Sequence, residues 1–164
     1  MAKEVLDTGA LISWPIIRLN GCYAIPSQKM ELCKIYPEKE IEIESAKLIW
    51  INPDERSLKI ATDLAIETGD MAGLSEIDLG ILALSINLKS ALVTDDYRLQ
   101  NLAEKAGIEW ETVSTKGIKE IWKWELRCIA CKKMYPQPEK PNQKKSDWGE
   151  CGDCGSKLKL KKIR

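Results

Sequence analysis

The chain has 164 residues, 44% hydrophobic and 30% charged, with 25 Lys/Arg balancing 25 Asp/Glu and no histidine. That is enough apolar material for one ordinary domain with a small appendage, and no apolar run approaches the roughly 18–20 residues that span a bilayer, so a folded cytoplasmic protein is expected. The missing histidine excludes Ser-His-Asp and Cys-His catalysis, histidine acid–base ribonucleases and histidine-ligated zinc hydrolases as self-contained mechanisms, and neither common glycine-rich phosphate loop is present.

Glu4-Val5-Leu6 reads as a short strand leading into Asp7, and Thr8 to Ile12 as a turn into a helix. Pro26-Ser27 opens a second helix through Met30, Glu31 and Leu32. The IEIES segment alternates and reads as an edge strand or loop, before KLIWIN gives a strand over 47–52. Asn52 as cap with Pro53 at the first helical position starts a helix through Leu64 and Ile66 that stops near Gly69. Ser75 caps the next, whose Ile77, Ile81, Leu84 and Leu88 keep helical spacing. A strand at Ala91–Thr94, a helix over 98–106 ended by Gly107 and a last strand at 108–110 follow. Strands alternating with helices predict an α/β body with a parallel sheet covered on both faces.

From about Lys119 the style changes. Trp122, Trp124, Leu126 and Cys128 alternate with polar neighbours, and Leu and Lys alternate over 157–161, as strands do. Between them Cys128, Cys131, Cys151 and Cys154 form C-x2-C-x19-C-x2-C, the spacing of a structural tetrahedral zinc site. A cytosolic context disfavours disulfides, and a redox C-x-x-C would stand alone beside a βαβ unit. Two strands and two knuckles describe a zinc ribbon, so two domains are expected, 1–118 and 119–164. Residues 136–148, with three prolines and three lysines, should form a mobile loop. Cys22 and Cys33 read as small buried hydrophobes. Cut before Cys128, the chain splits into a body with six net negative charges and a tail with ten Lys/Arg against four Asp/Glu. Such asymmetry suggests a basic tail gripping a polyanion, or a small module kept soluble by lysines.

In an open α/β sheet the functional crevice lies at the carboxyl ends of the strands. Asp7 and Asp95-Asp96 fall there, Asp78 sits in the first turn after Ser75, and Glu31 lies on the second helix. Oxygen ligands of this kind suit Mg²⁺ or Mn²⁺, and the chemistry implied is metal-dependent hydrolysis. Each acid also has a structural reading: Asp78 in a capping box, Asp7 and Asp95-Asp96 as turn residues, Glu31 as a solvated group.

VLDTGALI, LSEIDLGILALS and ALVTDDYRL, in that order, resemble the successive acidic motifs of the PIN (PilT N-terminus) nuclease family over most of residues 3–113. With the zinc ribbon attached, the chain resembles the Nob (Nin-one-binding) endonuclease family in its short archaeal form; YAIPSQKMEL and ETGDMAGLSEID resemble that family's segments around Glu31 and Asp78. The resemblance implies a PIN-like sheet and a Mg²⁺- or Mn²⁺-dependent single-strand endoribonuclease that trims the 3′ end of small-subunit precursor rRNA. It implies that rRNA, the pre-ribosomal particle and assembly-factor proteins as partners, and no membrane. Carried over, the catalytic acids are Asp7, Glu31, Asp78 and Asp96, with Asp95 and Thr94 as further residues at the metal and Thr8 and Ser75 giving supporting hydrogen bonds. The ribbon then supplies RNA contacts from Lys132, Lys133, Lys144, Lys145, Lys157 and Lys159, with Lys161, Lys162 and Arg164 behind them. Trp148 and Tyr135 either stack on unpaired bases or pack the ribbon core. The zinc is structural, because four thiolates leave no position open for water. The rival readings are a PIN-type toxin ribonuclease, against which the ribbon argues, and a non-catalytic RNA-binding assembly factor.

Overall fold

The computed structural model describes residues 3–114, 117, 121–141 and 147–163. Five short strands, β1 (Val5–Leu6), β2 (Tyr23–Ala24), β3 (Ile49–Trp50), β4 (Leu92–Val93) and β5 (Trp110–Glu111), form one parallel sheet in the order β3-β2-β1-β4-β5. Val5 pairs with Leu92 and Leu6 with Val93. Successive residues of a strand point to opposite faces, and both faces here are buried. Val5 and Leu92 therefore enter one core layer with α5 (Glu55–Thr68), α6 (Glu76–Leu88) and α7 (Tyr97–Ala106). Leu6 and Val93 enter the other, with α1 (Thr8–Ser13), α2 (Ile16–Leu19), α3 (Pro26–Ile35) and α4 (Glu40–Ser45). The doubly covered parallel sheet expected from the strand–helix alternation is the observed one.

Three local expectations are corrected, at α4, at the cap of α5 and at Cys33, and two short elements were not expected. The IEIES segment is the helix α4, because Pro37 opens a 3-10 turn that runs straight into it and its first-turn Glu40 and Glu42 suit a helix N-terminus. The cap of α5 is Asp54, whose Oδ1 accepts from Ser57 N at 2.6 Å, so Asn52 and Pro53 lie in the approach and not in the helix. The helix α2 and the strand β2 carry too few residues to show a period. Cys22 is buried as expected, whereas Cys33 is only half-buried.

The C-terminal residues make a second, antiparallel sheet of order β7-β6-β8, from β6 (Lys123–Cys128), β7 (Met134–Tyr135) and β8 (Leu158–Ile163). Leu126 and Leu160 pair across it, and Leu158 and Leu160 are buried while Lys157, Lys159 and Lys161 are exposed, the alternation the sequence predicts. The boundary expected at 118/119 and part of the expected mobile loop, 142–146, lie outside the described residues. The ribbon packs on the 3-10 turn Asp70–Gly73, through Ala72 and through Trp148 Nε1, which donates to Ala72 O at 3.1 Å. Gly69 ends α5 at φ +80°, and a Cβ there would come within 2.1 Å of Trp124 O, so glycine serves both the left-handed cap and the close approach of β6.

Candidate active site

From β1 the sheet grows one way through β2 and β3 and the other way through β4 and β5. Strand order thus reverses between β1 and β4, and the carboxyl ends of such a pair are where open α/β sheets place their functional crevice. Asp7 leaves β1 and Thr94 leaves β4 at that point. Thr94 is fully buried; its Oγ1 donates to Asp7 Oδ2 at 2.6 Å and accepts from Asp96 N at 3.0 Å. The other Asp7 oxygen accepts from Thr8 N at 2.6 Å. Asp96 is the N-cap of α7, its Oδ1 accepting from Arg98 N at 2.8 Å.

Asp78 enters from α6. Ser75 N donates to Asp78 Oδ2 at 2.8 Å and Asp78 N donates to Ser75 Oγ at 3.1 Å, so the capping-box reading of this acid is realised. Its charge nevertheless reaches the mouth. The Asp7 carboxyl is pushed up to about 6, first by burial and then by the negative charges of Asp78 and Asp96, against the lowering bonds from Thr94 and Thr8. Acids from two other elements therefore add negative charge at Asp7, and a local excess of negative charge among hard oxygen donors suits a divalent cation.

Glu31 and Asp95 stand differently. Glu31 is exposed on α3, one turn beyond Gln28. The Asp95 carboxylate accepts from Val113 N at 2.7 Å and from Ser114 N and Oγ, tying down the 113–114 turn. Among the described residues the carboxylates do not gather three donor atoms within 4.8 Å of one another, as the thiolates do.

Two buried glutamines that sequence reasoning missed brace this mouth. Gln28 Nε2 donates to Leu6 O at 2.9 Å while its Oε1 accepts from Ile25 N, and Gln100 Nε2 donates to Thr94 O at 2.9 Å. The Gln three residues past the Ile25 helix start was a readable signal for the first; nothing local marks the second. Asp70 was also missed. It is fully buried, accepts from Thr68 Oγ1 and Asn101 Nδ2, and burial pushes it up to about 6. Asn101 in turn holds the backbone N–H and C=O of Trp122, at the entrance to the ribbon.

The four thiols Cys128, Cys131, Cys151 and Cys154 lie within 4.8 Å of one another, and none is in a disulfide. Lys132 and Gly155, each following the second cysteine of its pair, are left-handed, at φ 64° and 72°. Tyr135 donates from its hydroxyl to Cys151 Sγ at 3.0 Å and accepts from Gly152 N. That bond, more than any other influence, brings Cys151 down to about 6, and bonds from Ser156 lower Cys154. Against a lowering bond from the Lys133 amide, bonds to Cys151 and its other cysteine neighbours push Cys131 up to about 12, so the four do not ionise alike. Four thiols this close, with two of them made more acidic, fit a zinc ion. Tyr135 and Trp148 both pack the ribbon core, the second of the two roles open to them. Lys132 Nζ bonds Ile129 O and Lys133 pairs with Asp153, while Lys159, Lys161, Lys132 and Arg127 line a groove of about 390 Å³. Lys144, Lys145 and Arg164 lie outside the described residues.

A switch-point cluster of acids on this parallel sheet is the arrangement of a PIN nuclease, and the family described as "PIN domain of ribonuclease" matches residues 5–88. The endoribonuclease Nob1 of Methanocaldococcus jannaschii is 34% identical over 100% of this chain and 80% of its own length. A protein named ribonuclease VapC1, from Thermoplasma acidophilum, is 33% identical over 94% of this chain and 76% of its own. The 20S-pre-rRNA D-site endonuclease NOB1 of Saccharomyces cerevisiae is 31% identical over 67% of this chain and 24% of its own. The chain belongs to the Nob1 endoribonuclease family of PIN-domain nucleases. No helix among the described residues is long and apolar enough to cross a membrane.

Proposed function

We propose that this nuclease cuts single-stranded RNA at the 3′ end of small-subunit precursor rRNA, with a divalent cation, Mg²⁺ or Mn²⁺, held by Asp7, Asp78 and Asp96 and with Glu31 at the margin. The observation that supports it is the placement of Asp7 near Asp78 and Asp96, whose negative charges add to burial in pushing the Asp7 carboxyl up to about 6. Such a cation, when bound, neutralises charge growing on a phosphodiester and lowers the pKa of water. The chain's own part is positional. Thr94 and the Thr8 amide fix both Asp7 oxygens, and Thr94 ties the start of α7 to the end of β1. Asp96 rather than Asp95 faces the reaction, because the Asp95 carboxylate serves the 113–114 turn.

An acidic mouth repels RNA, so a separate basic surface is needed. Lys132, Lys157 and Lys159, with Lys133, Lys161 and Arg127 near them, supply one on the ribbon, and a zinc ion on the four thiolates would fix its shape. The pre-rRNA reading draws support from the Nob1 relatives, including the yeast protein named for its D-site. The toxin reading keeps one observation in its favour: the VapC1-named relative aligns over 94% of this chain, so possession of a ribbon does not by itself separate the two.

The test is Mn²⁺-dependent cleavage of an RNA spanning the small-subunit 3′ end, beside an unrelated single strand of equal length. Wild type should cut the first at a defined position, and Asp7→Asn and Asp78→Asn should not. Variants that cut as well as wild type would remove the acids from the chemistry, and equal cutting of both RNAs would favour the toxin reading.

A further inference from the structure

The proposed reaction leaves an aromatic run beside the acids without a task. Tyr97, first residue of α7 and neighbour of Asp96, is 45% exposed. Its ring meets Trp122 edge-on at 5.7 Å, and Trp122 meets Trp124 the same way at 6.0 Å. The run thus leads from the mouth of the body to β6 of the ribbon. Two cations attend it: Lys162 Nζ lies 4.1 Å from the centre of the Trp122 ring, and the Arg98 guanidinium carbon 5.1 Å from that of Trp124.

Arg98 holds a shaped position. Its side chain crosses Gly73, where a Cβ would fall 1.9 Å from Nε, and that Nε is buried without a hydrogen-bond partner. The turn leading to Asp78 is therefore built around this guanidinium. Packing accounts for much of Trp122 and Trp124, which are half-buried at the junction, but it does not account for an exposed tyrosine ring at a helix start. Aromatic faces with cations beside them, next to an acidic cleavage site, match the chemistry of unpaired nucleotides: bases stack on the rings and phosphates meet the charges. A basic peptide would be repelled by the same cations.

We propose that Tyr97, Trp122 and Trp124 form a stacking platform for unpaired bases of the RNA strand as it passes from the ribbon to the Asp96 side of the mouth, with Lys162 and Arg98 meeting its phosphates. This rests on the single-strand endoribonuclease reading above. Tyr97 is the probe position, because its exposed ring can be changed without opening the core.

The test uses the full zinc-loaded chain and a short single-stranded RNA carrying 2-aminopurine, in buffer without added Mg²⁺ or Mn²⁺, so that binding is read apart from cleavage. Wild type should quench the fluorophore on binding. Tyr97→Leu should lose the quench and bind about tenfold more weakly, with its melting temperature unchanged, and Tyr97→Phe should behave as wild type. Unchanged quench and affinity in Tyr97→Leu would overturn the platform, and so would an equal loss of affinity for a duplex of the same charge. The Mn²⁺ cleavage assay is scored separately on wild type. Stacking without cleavage sinks the nuclease assignment and keeps the platform; cleavage without a Tyr97-dependent quench sinks the platform alone.

Discussion

Thr94 shows how much one hydroxyl can do when it is fully buried between two acids. It donates to Asp7 and accepts from the Asp96 amide, so Thr94→Val, nearly the same shape, leaves two polar groups without their partner. Thr94→Val should lose about 1–3 kcal/mol of stability by urea titration, and Mn²⁺-dependent cleavage should fall about 10- to 100-fold. Thr94→Ser, which keeps the hydroxyl, should restore both; a Val variant as active as the Ser variant would show that the hydroxyl is idle. Asp70 has the opposite character, a buried acid with one oxygen lacking a partner. Its folded-state pKa of about 6 lies above the ordinary aspartate value, so between about pH 4 and 6 the folded chain holds a proton that the unfolded chain has released. That contribution is present at low pH and is lost as pH rises through about 6. Asp70→Asn removes it while keeping the shape, so its stability relative to wild type should rise by about 1 kcal/mol from pH 5 to pH 7, read from urea midpoints. A constant difference across that range would place the titration elsewhere. Asp7, Asp78 and Asp96 were legible in the sequence because each stands where a strand ends or a helix begins. Asp70, Gln28 and Gln100 were not, because a polar residue inside or between helices looks solvated until tertiary contacts bury it.

At the scale of elements, hydrophobic period and punctuation carried most of the body, and they failed where an element is shorter than two of its own periods. Alternation in IEIES places Ile41 and Ile43 on one face of a strand. In the helix α4 they diverge, Ile43 being 1% exposed and Ile41 78%. The two assignments predict different mutants. Ile41→Ala should change stability by no more than about 0.5 kcal/mol, whereas Ile43→Ala, which leaves a hole beneath α4 and α3, should cost about 2–4 kcal/mol by urea titration. Comparable losses at both positions would restore the strand. The α5 cap moved from Asn52 to Asp54 for a related reason. Asn-Pro is a good helix opening by type, but the residue two places on reaches the Ser57 amide, and the geometry of that bond decides.

For the whole molecule, the charge split and the cysteine spacing were readable at once, whereas the docking of ribbon on body was not. It rests on Asn101 with Trp122 and on Trp148 with Ala72, pairs 21 and 76 residues apart, which no local pattern connects. The consequence is a basic sheet set against an acidic mouth, and the two should contribute to RNA handling in separable ways. Lys159 and Lys161 are exposed on β8 and Lys157 is exposed just before it, and none of the three is a cysteine or a carboxylate of the two clusters, so replacing all three with Gln alters charge and keeps every thiol and acid in place. Each phosphate contact with a single strand contributes about 0.7 to the slope of log affinity against log salt. The triple variant should therefore bind the precursor RNA more weakly at low salt, with a slope shallower by about 2, while cleavage at saturating RNA stays near wild type. Cys151→Ser should also weaken binding, but by a different route, with loss of zinc and of ribbon order together. An unchanged salt slope in the lysine variant would move the clamp off β8, because a surface that releases no counterions is not holding phosphates.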